Sequence, residues 1–169
     1  MIRRGFTVVE LIITITIMGI LLLLTVVNIN ASQISSRDTE RVGDIEAISS
    51  ALESFFTVGT STFVSTNRYP TTDITLNYTT TKSFLPDLDP KSLMAPGITD
   101  STQTFIPATN NLQTSATVLP QPTISQYVYQ PLQPDGTLCG SGIIDCRKFN
   151  LYYRLENGNV VKMITSKNQ

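Results

Sequence analysis

The chain predicts an α+β protein: one long N-terminal helix packed on a small antiparallel β-sheet of three to five strands, with a C-terminal disulfide loop and hairpin. Three observations carry that expectation. Residues 6–29 form an almost uncharged apolar run that leads into a stretch of helical periodicity ending near Phe56. From Thr57 onward the composition shifts to threonine, serine, asparagine and proline, with short alternating segments. Near the C-terminus, Asn157-Gly158 stands between two alternating apolar runs, a strong short-range hairpin signal.

The apolar run comes first in the chain. Between Phe6 and Ile29 the only formal charge is Glu10. A helix over those positions is about 36 Å long, enough to cross a hydrocarbon core of about 30 Å. Its apolar residues lie all round the helix, which suits lipid or a bundle of like helices. Arg3 and Arg4 precede it, so the positive-inside tendency predicts a single N-in membrane span with the rest of the chain outside the cytoplasm. Glu10 is the anomaly, because a carboxylate in a membrane segment is costly unless it snorkels to the headgroups or meets a cation. A cut between Gly5 and Phe6 would create that cation, the new terminal ammonium of Phe6. Within one helix the two groups are held a turn apart. Between staggered parallel helices they can meet, and the pair would then set axial register.

Arg3-Arg4-Gly5 followed by Phe6-Thr7-Val8-Val9-Glu10-Leu11-Ile12 resembles the N-terminus of prepilins, the precursors of type IV pilins and of type II secretion pseudopilins. The resemblance implies a pilin-like fold and a cleaved leader at residues 1–5. It further implies that prepilin peptidase cuts after Gly5 and methylates Phe6, and that Glu10 serves filament assembly. The implied partners are copies of the chain in a helical filament, the peptidase, an inner-membrane platform with a cytoplasmic ATPase, and lipid before assembly. The filament would be periplasmic or extracellular. Many family members carry a proline late in the apolar run. Here Leu24-Thr25-Val26-Val27-Asn28 has none, which leaves Gly19 as the weak point. A secretory signal ending at Ile29-Asn30-Ala31, a twin-arginine signal at Arg3-Arg4-Gly5-Phe6 and a plain anchor for a monomeric binding domain fit the same residues less well.

Composition narrows the chemistry. The 169 residues leave room for one globular domain after the span, expected over 57–169, with 30–56 as the amphipathic continuation of the helix. Cleavage would remove two of the twelve basic residues against thirteen acidic ones, so bulk charge gives no case for nucleic-acid binding. There is no histidine, hence no imidazole base, His-based triad or His metal site. No phosphate loop, dinucleotide fingerprint or paired Cys-x-x-Cys is present. The expectation is a non-enzyme without a cofactor.

Along the rest of the chain, Val42, Ile45, Ile48, Leu52, Phe55 and Phe56 recur at helical spacing. Glu40, Asp44 and Glu53 are left for an opposite face that is read as solvated. The single helix from Phe6 to Phe56 would be ~75 Å long. Arg68-Tyr69-Pro70 closes the first connection, and Phe84-Leu85-Pro86-Asp87-Leu88-Asp89-Pro90 reads as turns. Asp87 and Asp89 lack the glycine and distal glutamate of a calcium loop. Residues 101–134 carry no charge and are expected as loops and short strands, with Tyr127-Val128-Tyr129-Gln130 a strand. A two-residue turn at Asn157-Gly158 pairs Leu155 with Val160, Tyr153 with Lys162 and Leu151 with Ile164. Phe149, Leu151, Leu155, Val160 and Ile164 then share the face that meets the helix. Cys139 and Cys146, if outside the cytoplasm, pair to pin the loop before the hairpin, a gain of about 2–2.5 kcal/mol.

Overall fold

The computed structural model describes residues 5–60 (the side chains of 26–28 excepted), 67–98, 104–143 and 145–168. The chain divides into two compact units, Met1–Ser36 and Arg37–Gln169. Helix α1 spans Val8–Val58. It ends two residues beyond the expected Phe56, at Gly59, whose φ of 73° admits the left-handed cap and whose N–H donates to Phe55 O at 2.9 Å.

In the second unit, Ile45, Ile48 and Leu52 of α1 are fully buried. They pack on a four-stranded sheet in the order β1 (Phe105–Pro107), β2 (Tyr127–Leu132), β3 (Lys148–Arg154), β4 (Val161–Thr165). The β2–β3 and β3–β4 pairs are antiparallel as expected, but β1 runs parallel to β2. A parallel pair needs a long crossover, and the charge-free stretch 108–126 supplies one. That crossover builds a second apolar cluster on the far face of the sheet, where Ala108 and Val118 cover Val128 and Tyr152. All six residues of β2 are therefore buried, and simple alternation understated how much of the strand is covered. Helix α2 (Tyr78–Phe84) was not expected. Its signal was the cap at Asn77, whose side-chain oxygen accepts the Thr80 N–H at 2.8 Å.

The hairpin has the expected register, with Leu151 opposite Ile164, Tyr153 opposite Lys162, and the Leu155 N–H donating to Val160 O at 2.9 Å. Its turn does not have the expected conformation. Left-handed φ values fall on Gly158 and Asn159, while Glu156 is right-handed helical and Asn157–Asn159 forms a short 3-10 turn. The cause is tertiary: the Asp38 carboxylate accepts the N–H groups of Glu156 (2.8 Å) and Asn157 (2.9 Å), which holds them in a helical turn. Val160 does not join the core face; it is 44% exposed. Phe149, Leu151 and Tyr153 face the helix instead, with Leu155 and Ile164 half-buried beside them.

The polar side of α1 is not a solvated face. Arg41 is 1% exposed and donates from Nε to Ile124 O (3.1 Å), from Nη1 to Asp38 (3.0 Å) and from Nη2 to Glu156 (2.6 Å). Arg37 grips both oxygens of the same Glu156, at 2.8 and 2.6 Å. Asp44 is buried against Tyr127, whose hydroxyl donates to it at 2.8 Å. Glu53 accepts from the Tyr69 hydroxyl (2.9 Å) and the Lys167 N–H (2.8 Å), tying down the end of the chain. Glu40 alone meets the expectation in part, in an open ion pair with Lys91 at 2.7 Å.

Cys139 and Cys146 form the expected disulfide, with Cα atoms 5.9 Å apart, in the connection between β2 and β3. Their carbonyls accept the N–H groups of Thr72 (3.1 Å) and Tyr69 (2.8 Å), so the bridge also fixes the segment after α1. The Tyr69 ring lies against both Phe56 and Phe149.

Two outcomes follow. Arg41→Ala takes the buried cation from two carboxylates, leaving Glu156 to Arg37 and Asp38 to the turn N–H groups, strands a turn carbonyl, and should lower the unfolding free energy by about 3 kcal/mol on a urea curve. The pH profile should be peaked. Burial, opposed by the Tyr127 hydrogen bond, raises the Asp44 carboxyl from 3.8 to about 6 despite Lys91 and Arg41 nearby, with Glu40 adding repulsion. The native state thus binds that proton more readily, and stability rises as pH falls from above 6 towards 3.8. Hydrogen bonds from Arg37 and then Arg41 hold Glu156 down to about 2, so its contribution is lost as pH falls from 4.5 towards 2. Asp44→Asn should abolish the rise on the neutral side and leave the acid-side fall, read as urea midpoints across pH.

Candidate assembly site

The first unit begins, among described residues, at Gly5 and Phe6, which precede the helix; Phe6 is 85% exposed. Arg3 and Arg4 lie outside the described residues, as do the side chains of Val26, Val27 and Asn28. Thr7 is the N-cap of α1. Its N–H and its hydroxyl both donate to Glu10 Oε2, at 3.0 and 2.9 Å, and the Glu10 N–H donates back to Thr7 Oγ1 at 3.2 Å. This is a capping box, Thr-x-x-Glu, in which each side chain satisfies the other's orphan N–H. The Thr-x-x-Glu spacing is the sequence signal of this cap, which the assembly role expected of Glu10 does not include. Glu10 Oε1 accepts no hydrogen bond among the described residues.

Beyond the cap the helix shows hydrocarbon to its surroundings. Residues 8–25 are all exposed, from Val8 and Val9 through Leu23 and Leu24. Among the described residues, α1 is the one helix long and apolar enough to cross a membrane, and none of its most apolar window is buried. The three hydroxyls in this stretch are turned inward: Thr14 donates to Leu11 O (2.8 Å), Thr16 to Ile12 O (2.7 Å) and Thr25 to Leu22 O (2.8 Å). Their donors are therefore satisfied within the helix. The helix runs unbroken through Gly19, where an added Cβ would meet nothing within 4 Å.

The site thus consists of one capped carboxylate at the start of an otherwise apolar rod. Gly5 and Phe6 directly precede the capped first turn that holds Glu10, and Phe6 and Glu10 are both open to solvent. Among the described residues no group of three or more His, Cys, Asp or Glu is placed to hold a metal. Asp89 instead caps the short turn Pro90–Leu93 by accepting the Lys91 N–H at 2.9 Å.

Two arginines, a glycine and a phenylalanine thus precede a capped apolar helix, and the prokaryotic N-terminal methylation motif matches residues 1–26. The chain is also 36% identical over 84 residues to the type II secretion system core protein G of Klebsiella michiganensis. That stretch is 50% of this chain and 54% of the other, so the match spans about half the length of that relative. No solved structure matches. The motif and the relative support a pilin-like or pseudopilin subunit, a structural role in a membrane-anchored protein.

Thr7→Val removes one half of the box. It should cost ~1 kcal/mol at the helix start, seen as faster amide exchange at Val8, Val9 and Glu10 in detergent micelles, with no change beyond the second turn.

Proposed function

We propose that this chain is the structural subunit of a type IV pilus-like filament, cut by prepilin peptidase between Gly5 and Phe6, methylated at Phe6, and polymerised through residues 6–29. The observation that carries this reading is the exposed apolar first half of α1. Some eighteen consecutive exposed residues, nearly all apolar, represent tens of kcal/mol of burial on an area basis. Water is not a stable environment for such a rod, which leaves lipid or other copies of itself. The N-in inner membrane is the reservoir, and a bundle of parallel helices is the product. Glu10 Oε1, left open by the capping box, accepts the Phe6 ammonium of a neighbouring copy and fixes its axial position. An inner-membrane platform with a cytoplasmic ATPase supplies the work of extraction.

A second reading has one specific observation in its favour. Similarity to a type II secretion system core protein supports a short pseudopilus that serves secretion rather than a surface pilus. Deleting the gene separates the two: loss of surface filaments supports the pilus, and loss of an exported enzyme from the medium supports the pseudopilus.

The assembly reading is tested by two variants. Gly5→Leu should leave a precursor five residues longer in the membrane, and normal processing would remove the leader assignment. Glu10→Ala should be cut normally yet yield few filaments, and an unchanged yield would remove Glu10 from assembly. Mass spectrometry of the mature N-terminus reports the cut and the methyl group together.

A further inference from the structure

The far face of the sheet carries a second feature, independent of the helix. Leu132, Lys148, Asn150, Met163 and Thr165 lie on one face by strand register, since Leu132 pairs with Lys148, Asn150 with Thr165, and Tyr152 with Met163. The crossover 108–126 covers this face over Val128 and Tyr152 but stops short of its other end, where Gln113 forms a wall. What remains is a cavity of about 160 Å³. That is below the ~300 Å³ at which drug-sized sites begin, so any occupant is a single small ring.

The polar groups in the cavity are incompletely used. Asn150 is 4% exposed; its Nδ2 donates to Gln130 Oε1 at 3.0 Å, and its Oδ1 has no donor among the described residues. Gln130 itself is complete, donating to Asn110 O and Leu112 O and accepting from Asn150 and the Tyr152 hydroxyl. The Asn150 acceptor is therefore left for whatever enters the cavity, and a buried polar atom without a partner is costly. Lys148 makes no ion pair or side-chain hydrogen bond among the described residues, and neither does the Thr165 hydroxyl. Gln113 spends its amide on one long bond, 3.5 Å to Gly136 O. The cavity thus offers a buried acceptor at its base, a cation, two neutral polar groups, and hydrocarbon from Leu132 and Met163.

We propose that this cavity binds a small polyhydroxy carboxylate of the uronic-acid class. Its carboxylate pairs with Lys148, a ring hydroxyl donates to Asn150 Oδ1, and the C–H face of the ring lies on Leu132 and Met163. A neutral sugar leaves Lys148 unpaired, and a simple carboxylate leaves Asn150 unpaired. The ligand requires both features on one ring.

The test is a titration of the full chain in phosphocholine micelles with glucuronate, followed by amide shifts on β3 and β4. Saturable binding near ~1 mM is expected for one small ring, with glucose at least about tenfold weaker. Lys148→Ala should weaken glucuronate by about tenfold with an unchanged urea midpoint, and Thr165→Val by a smaller factor. Absence of saturable binding, equal affinity for glucose, or full affinity in Lys148→Ala would each overturn the proposal. Methyl glucuronide distinguishes the source, since retained affinity assigns the site to a glycan terminus and lost affinity to the free acid. Either result supports the shared chemistry once glucuronate binds through Lys148.

Discussion

Arg41 is the interaction on which the second unit depends. A guanidinium at 1% exposure is tolerable only if nearly every donor is used, and here its three nitrogens reach three separate segments of chain. They are the start of this unit's helix at Asp38, the β3–β4 turn at Glu156, and the crossover at Ile124. Apolar packing of Ile45, Ile48 and Leu52 drives the helix onto the sheet but is non-directional. The charged clamp adds direction, because a shift of the hairpin by one residue would pull Glu156 away from both arginines and the turn N–H groups away from Asp38. The same clamp overrides the local preference of Asn157-Gly158.

Stability elsewhere in this unit follows the same logic of side chains reaching far along the chain. Glu53 holds the segment around Lys167, Asp44 holds β2 through Tyr127, and the disulfide carbonyls hold the segment around Tyr69. Each contact closes a loop that the short sheet alone would leave loose. That is how a domain with four strands and one major helix among the described residues orders long, glycine- and proline-punctuated connections.

Periodicity was the reliable guide to what the sequence encodes. The 3.6-residue repeat located the buried face of α1, and the period-two runs located β2, β3 and β4 with the right β3–β4 register. Polar residues misled for a physical reason. A charge on a helix reads as solvated until its partner is known, and Glu156 lies 115 residues from Arg41. The parallel β1 was hidden because its three residues, Phe105–Pro107, are too short for a pattern, and Pro107 argues against a strand. At the candidate site the leader, Phe6 and Glu10 stood out by composition. Thr7 did not, since a threonine beside an apolar run looks ordinary until the return bond from Glu10 is seen.

The inward-turned threonines of the first unit have a consequence for its energetics. With Thr14, Thr16 and Thr25 bonded to their own backbone, the rod shows much the same hydrocarbon to a lipid tail as to a copy of itself. A solute with so little preference between two oily solvents crosses from one to the other almost without bias. Under the proposed assembly, direction and spacing are set by the single carboxylate at its tip and by work done on the chain, rather than by the apolar surface itself.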